Sequence, residues 1–278
     1  MSISILILTL NEETNLLRCL NAFAWSDDIV IFDSFSTDHT VEIGRSAGAR
    51  VIQHKFSDYG SQREAARKLD YKYPWVFAVD ADELPDAKLI AEIKAIAGKK
   101  DNPYVAYRLR RKDHFMGKWI KHCTLYPSWF IRLYRPEKIF YEPRPVHEYP
   151  TVQGEIGELK GHLLHYNFSK GLTEWLTKHM QYAEFEARVG IKEIANRTFD
   201  WKSILFTKDP VKRRRALKAL SHHLPFRPTL RFCYNYFLRL GFLDGWEGLT
   251  YCRLMKMYEY LIVLKMKEIK RQEKGLPI

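Results

Sequence analysis

Short apolar segments alternate with amphipathic ones over the first hundred residues of the chain, and this alternation limits the choice of fold. The apolar segments have the length and continuity of strands that are buried on both faces. The first amphipathic segment has four apolar residues at helical spacing, Leu16, Leu17, Leu20 and Phe23. The predicted strands are 3–10, 28–33, 51–52 and 75–79, and the predicted helices are 16–23, 41–49, 61–69 and 85–97. Strands and helices that alternate at this spacing predict an α/β fold with a mostly parallel sheet flanked by helices.

Polar residues follow three of the predicted strands, in the segments 11–13, 33–38 and 80–83. In parallel sheets, ligands bind in the crevice beyond the carboxyl ends of the strands. We therefore expect the three polar segments to meet at one crevice.

The segment VFAVDADE, residues 76–83, is the most informative of the three. In an extended backbone, side chains two residues apart point the same way, so Asp80 and Asp82 of this DxD pattern would address one point. Two carboxylates this close repel each other unless a proton or a cation lies between them. Mg²⁺ or Mn²⁺ would suit, because either can bind phosphate oxygens as well and stabilise a departing diphosphate. The alternative is a helix start, with Asp82 and Glu83 near its N-terminus and Pro85 in its first turn.

The chain has neither a GxGxxG fingerprint nor a GxxxxGK[ST] phosphate loop, so a nucleotide would need other contacts. A carboxylate such as Asp33 can accept a hydrogen bond from the imide N–H of uracil. Residues 9–13 can line a ribose, and Arg63 can neutralise the charge of a diphosphate. Each also has an ordinary structural interpretation. Asn11 would serve as a helix cap, Asp33 as a turn residue and Arg63 as a surface charge.

Further along, strands are predicted at 104–110 and 130–134, and helices from about residue 172. Residues 201–278 hold 17 Lys and Arg against 6 Asp and Glu, which places a net charge of +11 out of the chain's +12 there. Basic residues with interleaved aromatics predict an anionic partner, either phospholipid or nucleic acid, unless they form only a solvated helical face. The predicted domains are 1–170, with halves 1–100 and 101–170, and a helical region 171–278.

The four cysteines are scattered without a CxxC pair, so neither a zinc site nor a disulfide framework is predicted. A reducing compartment fits this pattern best. The N-terminus, MSISILILTLNEE, lacks the basic start and the cleavage site of a secretory signal. No apolar stretch reaches the length of about 18 residues that a spanning helix needs. We therefore expect a cytoplasmic protein, peripheral at the inner face of the cell membrane.

Several segments resemble those of known glycosyltransferases in order and spacing as well as in residues. Three resemble family 2 glycosyltransferases, namely ISILILTLNEETNL (3–16), VIFDSFSTDHTVEIGRSAGARV (30–51) and WVFAVDADELPDAKL (75–89). Three more resemble small bacterial lipopolysaccharide-core glucosyltransferases of that family, namely RLYRPEKIFYEPRPVHEYP (132–150), LLHYNF (163–168) and RLGFLDGWEGLTY (239–251). The resemblance implies a GT-A-like Rossmann-type sheet and inverting transfer of glucose, from UDP-glucose or a similar donor, to a lipopolysaccharide core or another lipid-linked glycan.

The resemblance also implies roles for individual residues. Asp80 and Ala81 match the diphosphate contacts and Asp82 the metal ligand. Arg63 stands where family members often have an Arg-Asn pair, although Glu64 follows it here. The implied nucleotide contacts are Thr9, Leu10, Asn11, Glu13 and Asp33.

The ED acid–base pair and the QxxRW motif of larger relatives are absent, and His147-Glu148 is the nearest substitute. Inverting transfer needs a base that takes a proton from the acceptor hydroxyl. Glu148 is the predicted base, with a structural salt bridge as its alternative role. Of the histidines at 147, 162 and 165, His165 is the predicted second metal ligand. The alternatives are a contact with the diphosphate and a satisfied core histidine.

Two other functions remain open on the sequence. A sugar nucleotidyltransferase also uses an open α/β sheet, but it usually carries a glycine-rich basic segment where this chain has NEETN (11–15). A nucleic-acid-binding module would suit the basic region, yet no recognised binding signature accompanies it. The expected partners are therefore a UDP-sugar, a glycan acceptor and an anionic membrane surface, without nucleic acid. The apolar face of 255–270 also allows an oligomer.

Overall fold

Two structural units make up the chain in the computed structural model, which describes residues 3–99, 101–142, 150–196, 200–207 and 210–278. The first unit comprises residues 1–121 and 125–170, and the second comprises 122–124 and 171–278.

In its described part, the first unit consists of a large mixed sheet with helices between the strands. Its elements are β1 (Ser4–Thr9), α1 (Glu13–Phe23), β2 (Ile29–Asp33), α2 (Thr40–Ser46), β3 (Arg50–Gln53), α3 (Tyr59–Ala66), β4 (Val76–Asp80), β5 (Glu83–Pro85), α4 (Ala87–Ala97), β6 (Tyr104–Phe115), β7 (Lys118–Trp119), β8 (Trp129–Tyr134), β9 (Ile139–Phe140), β10 (Thr151–Val152) and β11 (Glu155–His165).

Nine of these strands form one sheet in the order β3-β2-β1-β4-β8-β6-β11-β5, with β7 paired to β6. The strands β3, β2, β1 and β4 are parallel to one another, and β11 is parallel to β6. β8 runs antiparallel to both β4 and β6, and β5 antiparallel to β11. The prediction of a mostly parallel sheet flanked by helices, followed by a helical C-terminal region, is confirmed. β2 and β4 lie on opposite sides of β1, so the strand order reverses at β1, and open α/β sheets bind their ligands beyond the carboxyl ends of the strands at such a point.

Both faces of β1 are buried, as its uninterrupted apolar sequence indicates. Ile5 and Ile7 belong to a core on one face of the sheet, together with residues of α1 and α4. Leu6 points to the other face and packs in a second core with Ala66 of α3. Packing on both faces fixes the position of β1 in the sheet and therefore the position of the polar residues that follow it.

The predicted apolar face of α1 is wrong at one position. Leu16, Leu20 and Phe23 are buried, but Leu17 is 58% exposed and Cys19 is fully buried in its place. A step of three residues from Leu16 stays on one helical face, whereas a step of one turns by about 100°.

The helix predicted from residue 85 begins later. Pro85 ends β5, where it pairs with Leu163 of β11. α4 follows from Ala87, and the Asp86 carboxylate caps it by accepting the N–H of Leu89 at 2.8 Å. The interpretation of Pro85 as a first-turn residue is therefore wrong, because its ring fits equally well in a short edge strand.

The second unit is helical in its described part. Its α-helices are α5 (Gly171–Asn196), α6 (Trp201–Leu205), α7 (Pro210–Ser221), α8 (Arg227–Cys233) and α9 (Gly245–Glu273), with a π-helical turn at Tyr234–Leu238 and a 3-10 turn at Gly241–Asp244. Ala183 and Ala187 of α5 pack on Ile262 and Met266 of α9, so part of the apolar face predicted to allow an oligomer is used within this unit. None of the helices in the described ranges is both long and apolar enough to cross a membrane.

Candidate active site

Asp80 ends β4 between two buried arginines. Its Oδ1 lies 3.1 Å from Nη2 of Arg63, and its Oδ2 lies 2.9 Å from Nη2 of Arg132. Burial by itself would raise the pKa of the Asp80 carboxyl, but the charges of Arg132 and Arg63 outweigh it and hold the pKa well below its usual range. Asp80 is therefore ionised and fixed in orientation.

Glu83, three residues further on, is completely buried and shares Arg132 with Asp80. Its carboxylate lies 2.8 Å from Nη2 of Arg132 and 3.4 Å from Nη1 of Arg111, and it accepts the N–H of Asp80 at 3.2 Å. Nε of Arg132 has no hydrogen-bond partner within the part of the chain that the structure describes. The two acids and the three arginines Arg63, Arg111 and Arg132 thus form one largely buried ionic network under the strand end.

Asp82 belongs to a second group, in which His165 lies between two carboxylates. Nε2 of His165 lies 3.3 Å from Oδ2 of Asp82, and Nδ1 lies 2.7 Å from Oδ1 of Asp113. Burial and Arg111 would lower the pKa of His165, but Asp82 and Asp113 outweigh them and raise it to about 9. Two acids that flank one position favour a cation there, and the raised pKa favours the imidazolium form of His165 at neutral pH.

The backbone at the DxD pattern differs from the expectation. The strand ends at Asp80, and Ala81 and Asp82 form a turn before β5, so the two acidic side chains are not presented by one extended strand. The expected repulsion between the acids is met by side chains, since Asp80 pairs with arginines and Asp82 with His165. The cluster joins residues of β4, α3, β8, β6 and β11 that are far apart in sequence.

The donor set of Asp82 and His165 fits a divalent cation as two ligands. A histidine that binds a metal usually donates its other ring N–H to a carboxylate, and Asp113 is placed to accept it here. Within the described ranges, no group of three or more His, Cys, Asp or Glu side chains has the arrangement of a metal site. A cation at this position would therefore depend on diphosphate oxygens and water for its remaining ligands.

Asp33 ends β2 and is completely buried. Its carboxylate accepts hydrogen bonds from the Thr9 hydroxyl at 2.9 Å, from the Ser36 hydroxyl, from the Ser36 N–H at 2.9 Å and from Nε2 of Gln53 at 3.2 Å. Four donors occupy the four lone-pair positions of a carboxylate. A contact between Asp33 and a base would therefore require one of these donors to give way.

The turn after β1 is held by contacts that connect it to the loop after β2. Asn11, with a left-handed backbone at φ 54°, accepts the N–H of Thr37 at 2.8 Å. The Glu13 carboxylate accepts the N–H of His39 at 3.1 Å. The Leu10 side chain is 48% exposed at the tip of this turn. The structure thus brings the predicted segments 11–13 and 33–38 together.

Lys170 also supports this turn. Its Nζ lies 2.7 Å from the Glu12 carboxylate and donates to the carbonyl oxygen of Asn11 at 3.1 Å. Burial raises the pKa of Glu12, although the hydrogen bonds from Asn15 and Lys170 oppose the shift.

Arg63 and His162 differ from what the sequence suggested. Arg63 was open to interpretation as a surface charge, but it is nearly buried and pairs with Asp80. The Glu64 carboxylate pairs instead with Arg67, directly after α3, whose Nη2 lies 2.6 Å from its Oε1. His162 lies apart from His165, with Asp86 at 3.4 Å from its Nδ1. Glu148 and its neighbour His147 fall outside the described residues.

Sequence reasoning missed Arg111, Asp113 and Lys170. The first two belong to β6, which was predicted to end at residue 110 because RKDH (111–114) reads as a polar loop. The side-chain alternation of Arg111 and Asp113 was the available signal. No local pattern distinguishes Lys170, whose partner Glu12 is 158 residues away.

The family model described as Glycosyl transferase family 2 matches residues 4–155, more than half of the chain. The chain therefore belongs to glycosyltransferase family 2, and the predicted enzyme class is confirmed. The matched range includes Asp33, Arg63, Asp80 and Asp82, and it ends before His165.

The individual relatives have low sequence identity to this chain. The lipopolysaccharide core biosynthesis glycosyltransferase LpsC of Rhizobium meliloti is 29% identical over 192 residues, which are 66% of this chain and 70% of that protein. An uncharacterized glycosyltransferase of Rickettsia typhi is 32% identical over 134 residues, which are 48% of this chain and 46% of the relative, so the alignment spans less than half of its length. Among solved structures, the crystal structure of S. aureus TarS 1-349 is 15% identical, covers 99% of this chain and 92% of that one, and has a TM-score of 0.42.

Proposed function

We propose that this family 2 glycosyltransferase is an inverting, metal-dependent hexosyltransferase. Its donor would be UDP-glucose or a similar UDP-sugar, and its acceptor a lipopolysaccharide core or another lipid-linked glycan. The observation that carries the proposal is the cluster at the carboxyl end of β4, where Asp80 and Asp82 lie beside Arg63, Arg132 and His165. The name of the Rhizobium meliloti relative, which refers to lipopolysaccharide core biosynthesis, supports the acceptor class.

Asp82 and His165 are the proposed ligands of Mg²⁺ or Mn²⁺. Such a cation, when bound, supplies Lewis-acid stabilisation of the departing diphosphate. Asp113 would hold the His165 proton on Nδ1, which leaves Nε2 for the metal. Ala81, which is only 2% exposed, would contact the donor beside the fixed carboxylate of Asp80 only if the turn at residues 81–82 opens.

The nucleoside part of the donor would lie on the turn after β1. Leu10 and Asn11 are exposed there, whereas Thr9 and Asp33 are buried beneath the turn, where the Thr9 hydroxyl donates a hydrogen bond to the Asp33 carboxylate. We assign the exposed pair to direct contact with ribose or base, and the buried pair to support of the turn. Glu13 fixes the same turn through its contact with the N–H of His39.

Glu148 remains the proposed base. The acceptor hydroxyl would transfer its proton to the Glu148 carboxylate while its oxygen attacks the anomeric carbon and the UDP leaves. Glu148→Gln should lose turnover by at least about a hundredfold, the usual contribution of a positioned base, while UDP-sugar binding is kept. Turnover that survives this substitution would assign the base to another residue.

The donor and metal assignments are tested by thermal shift with UDP, GDP, CDP and ADP, each with and without Mn²⁺. We expect stabilisation by UDP alone among the four, and a further increase with Mn²⁺. Asp82→Asn should remove the metal-dependent part and the release of UDP from UDP-glucose. The control Asp101→Asn removes the same charge at an exposed position before β6 and should change neither. A metal-dependent shift that persists in Asp82→Asn would refute the metal site.

The second unit supplies the proposed contact with an anionic membrane surface, which would place the enzyme at the cytoplasmic face. Its segment 226–246 carries eight large apolar side chains that are each between 45% and 81% exposed: Phe226, Leu230, Phe237, Leu238, Leu240, Phe242, Leu243 and Trp246. Large exposed apolar side chains in such number mark an interaction surface. The net charge of +11 in residues 201–278 favours an anionic partner for it.

Sedimentation with vesicles tests this surface. The wild type should bind phosphatidylglycerol vesicles more strongly than phosphatidylcholine vesicles. The double variant Leu238→Ser/Trp246→Ser should bind at least about tenfold more weakly, since each side chain loses about 1.5–3 kcal/mol of burial. Leu276→Ser, which alters a 46% exposed leucine outside the segment, is the control. Equal binding by wild type and double variant would refute the membrane contact, and retention on duplex DNA instead would favour the nucleic-acid alternative.

A further inference from the structure

A cavity of about 400 Å³ lies in the first unit where β6 and β11 end, on the side of α1. Arg18 of α1 lines it together with His114, Met116, Tyr166 and Phe168. This volume is within the range of small-molecule pockets. None of the roles proposed above uses these side chains.

The cavity contains a positive charge without an acidic partner. The guanidinium carbon of Arg18 lies 4.3 Å from the centroid of the Tyr166 ring, so the ring holds the side chain by a cation–π contact. Within the described ranges, Arg18 has neither a hydrogen bond nor an ion pair. Its N–H donors therefore remain available for a planar, bidentate contact with a phosphate or carboxylate.

The other lining groups suit a sugar ring. His114 stacks on Tyr166 with centroids 5.0 Å apart, and its Nδ1 lies 3.1 Å from the carbonyl oxygen of Lys112. A carbonyl oxygen only accepts, so Nδ1 carries the proton and Nε2 has the lone pair in the neutral ring. Met116, which is 66% exposed, and Phe168 add apolar surface. The combination offers an anion contact, an acceptor for a hydroxyl and apolar contacts for C–H groups.

The cavity adjoins the candidate active site along the chain. His114 follows Asp113, and Tyr166 follows His165, so each pair of Cα atoms is about 3.8 Å apart. His114 of β6 stacks on Tyr166, which directly follows β11, and Arg18 of α1 lies over the Tyr166 ring.

We propose that this cavity binds the acceptor through an anionic substituent on its sugar, with the Arg18 guanidinium as the counter-ion. The proposal rests on the glycosyltransferase function proposed above and adds a substrate class to it, a phosphorylated or carboxylated sugar. Arg18 is then the specificity-determining residue that selects a charged acceptor over a neutral one, whereas His114 binds a hydroxyl group that both kinds of acceptor have.

Glucose 6-phosphate and glucose are suitable probes, titrated calorimetrically into the full chain saturated with UDP and Mn²⁺. The wild type should bind glucose 6-phosphate and bind glucose at least about tenfold more weakly, because glucose lacks the charge-assisted hydrogen bonds to Arg18. Arg18→Gln should lower the affinity for glucose 6-phosphate to that for glucose. Arg45→Gln removes an exposed arginine charge from α2, away from the cavity, and should keep wild-type affinity.

His114→Phe keeps the ring stack on Tyr166 but removes the Nε2 acceptor, so it should weaken both sugars by a similar factor. Wild-type affinity of Arg18→Gln for glucose 6-phosphate, or equal wild-type affinity for the two sugars, would overturn the proposal. The UDP and Mn²⁺ thermal shift is measured on the same samples. A normal UDP shift without glucose 6-phosphate binding defeats only the acceptor subsite, whereas loss of the UDP shift defeats the donor assignment.

Discussion

Arg132→Met would test the buried ionic network under β4. Methionine keeps much of the length and apolar surface of arginine but removes its charge. Glu83, which is completely buried, would lose the Arg132 guanidinium at 2.8 Å. It would keep the hydrogen bond from the Asp80 N–H and the Arg111 guanidinium at 3.4 Å. Removal of one partner from a buried ion pair costs about 3–5 kcal/mol, because the other charge stays buried without compensation. We therefore expect the free energy of unfolding of the first unit to fall by about that amount.

Amide hydrogen exchange of peptides from β1 and β4 is the appropriate assay, since exchange from core strands reports the unfolding of their own unit. The matched control is Arg108→Met. Arg108 also pairs with a glutamate, Glu158, but the two side chains are 46% and 51% exposed, so the cost should stay below about 1 kcal/mol. Adding Glu83→Gln to Arg132→Met should recover part of the loss, because the uncompensated charge is then gone. If Arg132→Met costs no more than Arg108→Met, the buried network does not stabilise the end of β4.

Two further predictions concern packing and pH. Gly161→Ala in β11 should destabilise the first unit by about 1–3 kcal/mol, because the added Cβ would lie 2.4 Å from backbone atoms of Leu89. In the control Gly98→Ala the nearest atom to the added Cβ is 3.8 Å away, so the melting temperature should change little. The hydrogen bond from Arg67 lowers the pKa of Glu64 from 4.5 to about 2, so this carboxylate stabilises the folded state above pH 4.5 and loses that effect as the pH falls towards 2. In urea denaturation, Glu64→Gln should therefore be less stable than wild type at pH 6 and approach it near pH 2, and a difference that does not depend on pH would contradict this assignment.

The acids at the ends of β2 and β4 were largely predictable from sequence, because each depends on residues that are close together in the chain. The strand that ends in Asp80 is a short apolar run with acids directly behind it, and burial on both faces of the sheet requires that pattern. The same holds for the strand that ends in Asp33. Since parallel strands that flank one another end at the same edge, the meeting of segments 11–13 and 33–38 followed from topology.

The partners of these acids were not predictable in the same way. Arg111 and Asp113 lie in a strand that continues past its apolar part, and Lys170 reaches Glu12 from 158 residues away. Such contacts depend on the register of distant strands, for which a local sequence window carries no information. The turn at Ala81 also depends on a distant strand, because it allows β5 to pair with β11 at the edge of the sheet.

The sequence by itself determined the α/β alternation, the acidic ends of the strands and the family, because each of these depends on residues within a few positions of one another. Only the tertiary structure decided the charges around the acids. It paired Asp80 with two arginines and placed His165 between Asp82 and Asp113, which sets the pKa values and the number of side chains available to a metal. The physical reason is that electrostatic interactions depend on distance in space and on burial, and folding fixes both across long separations in the chain.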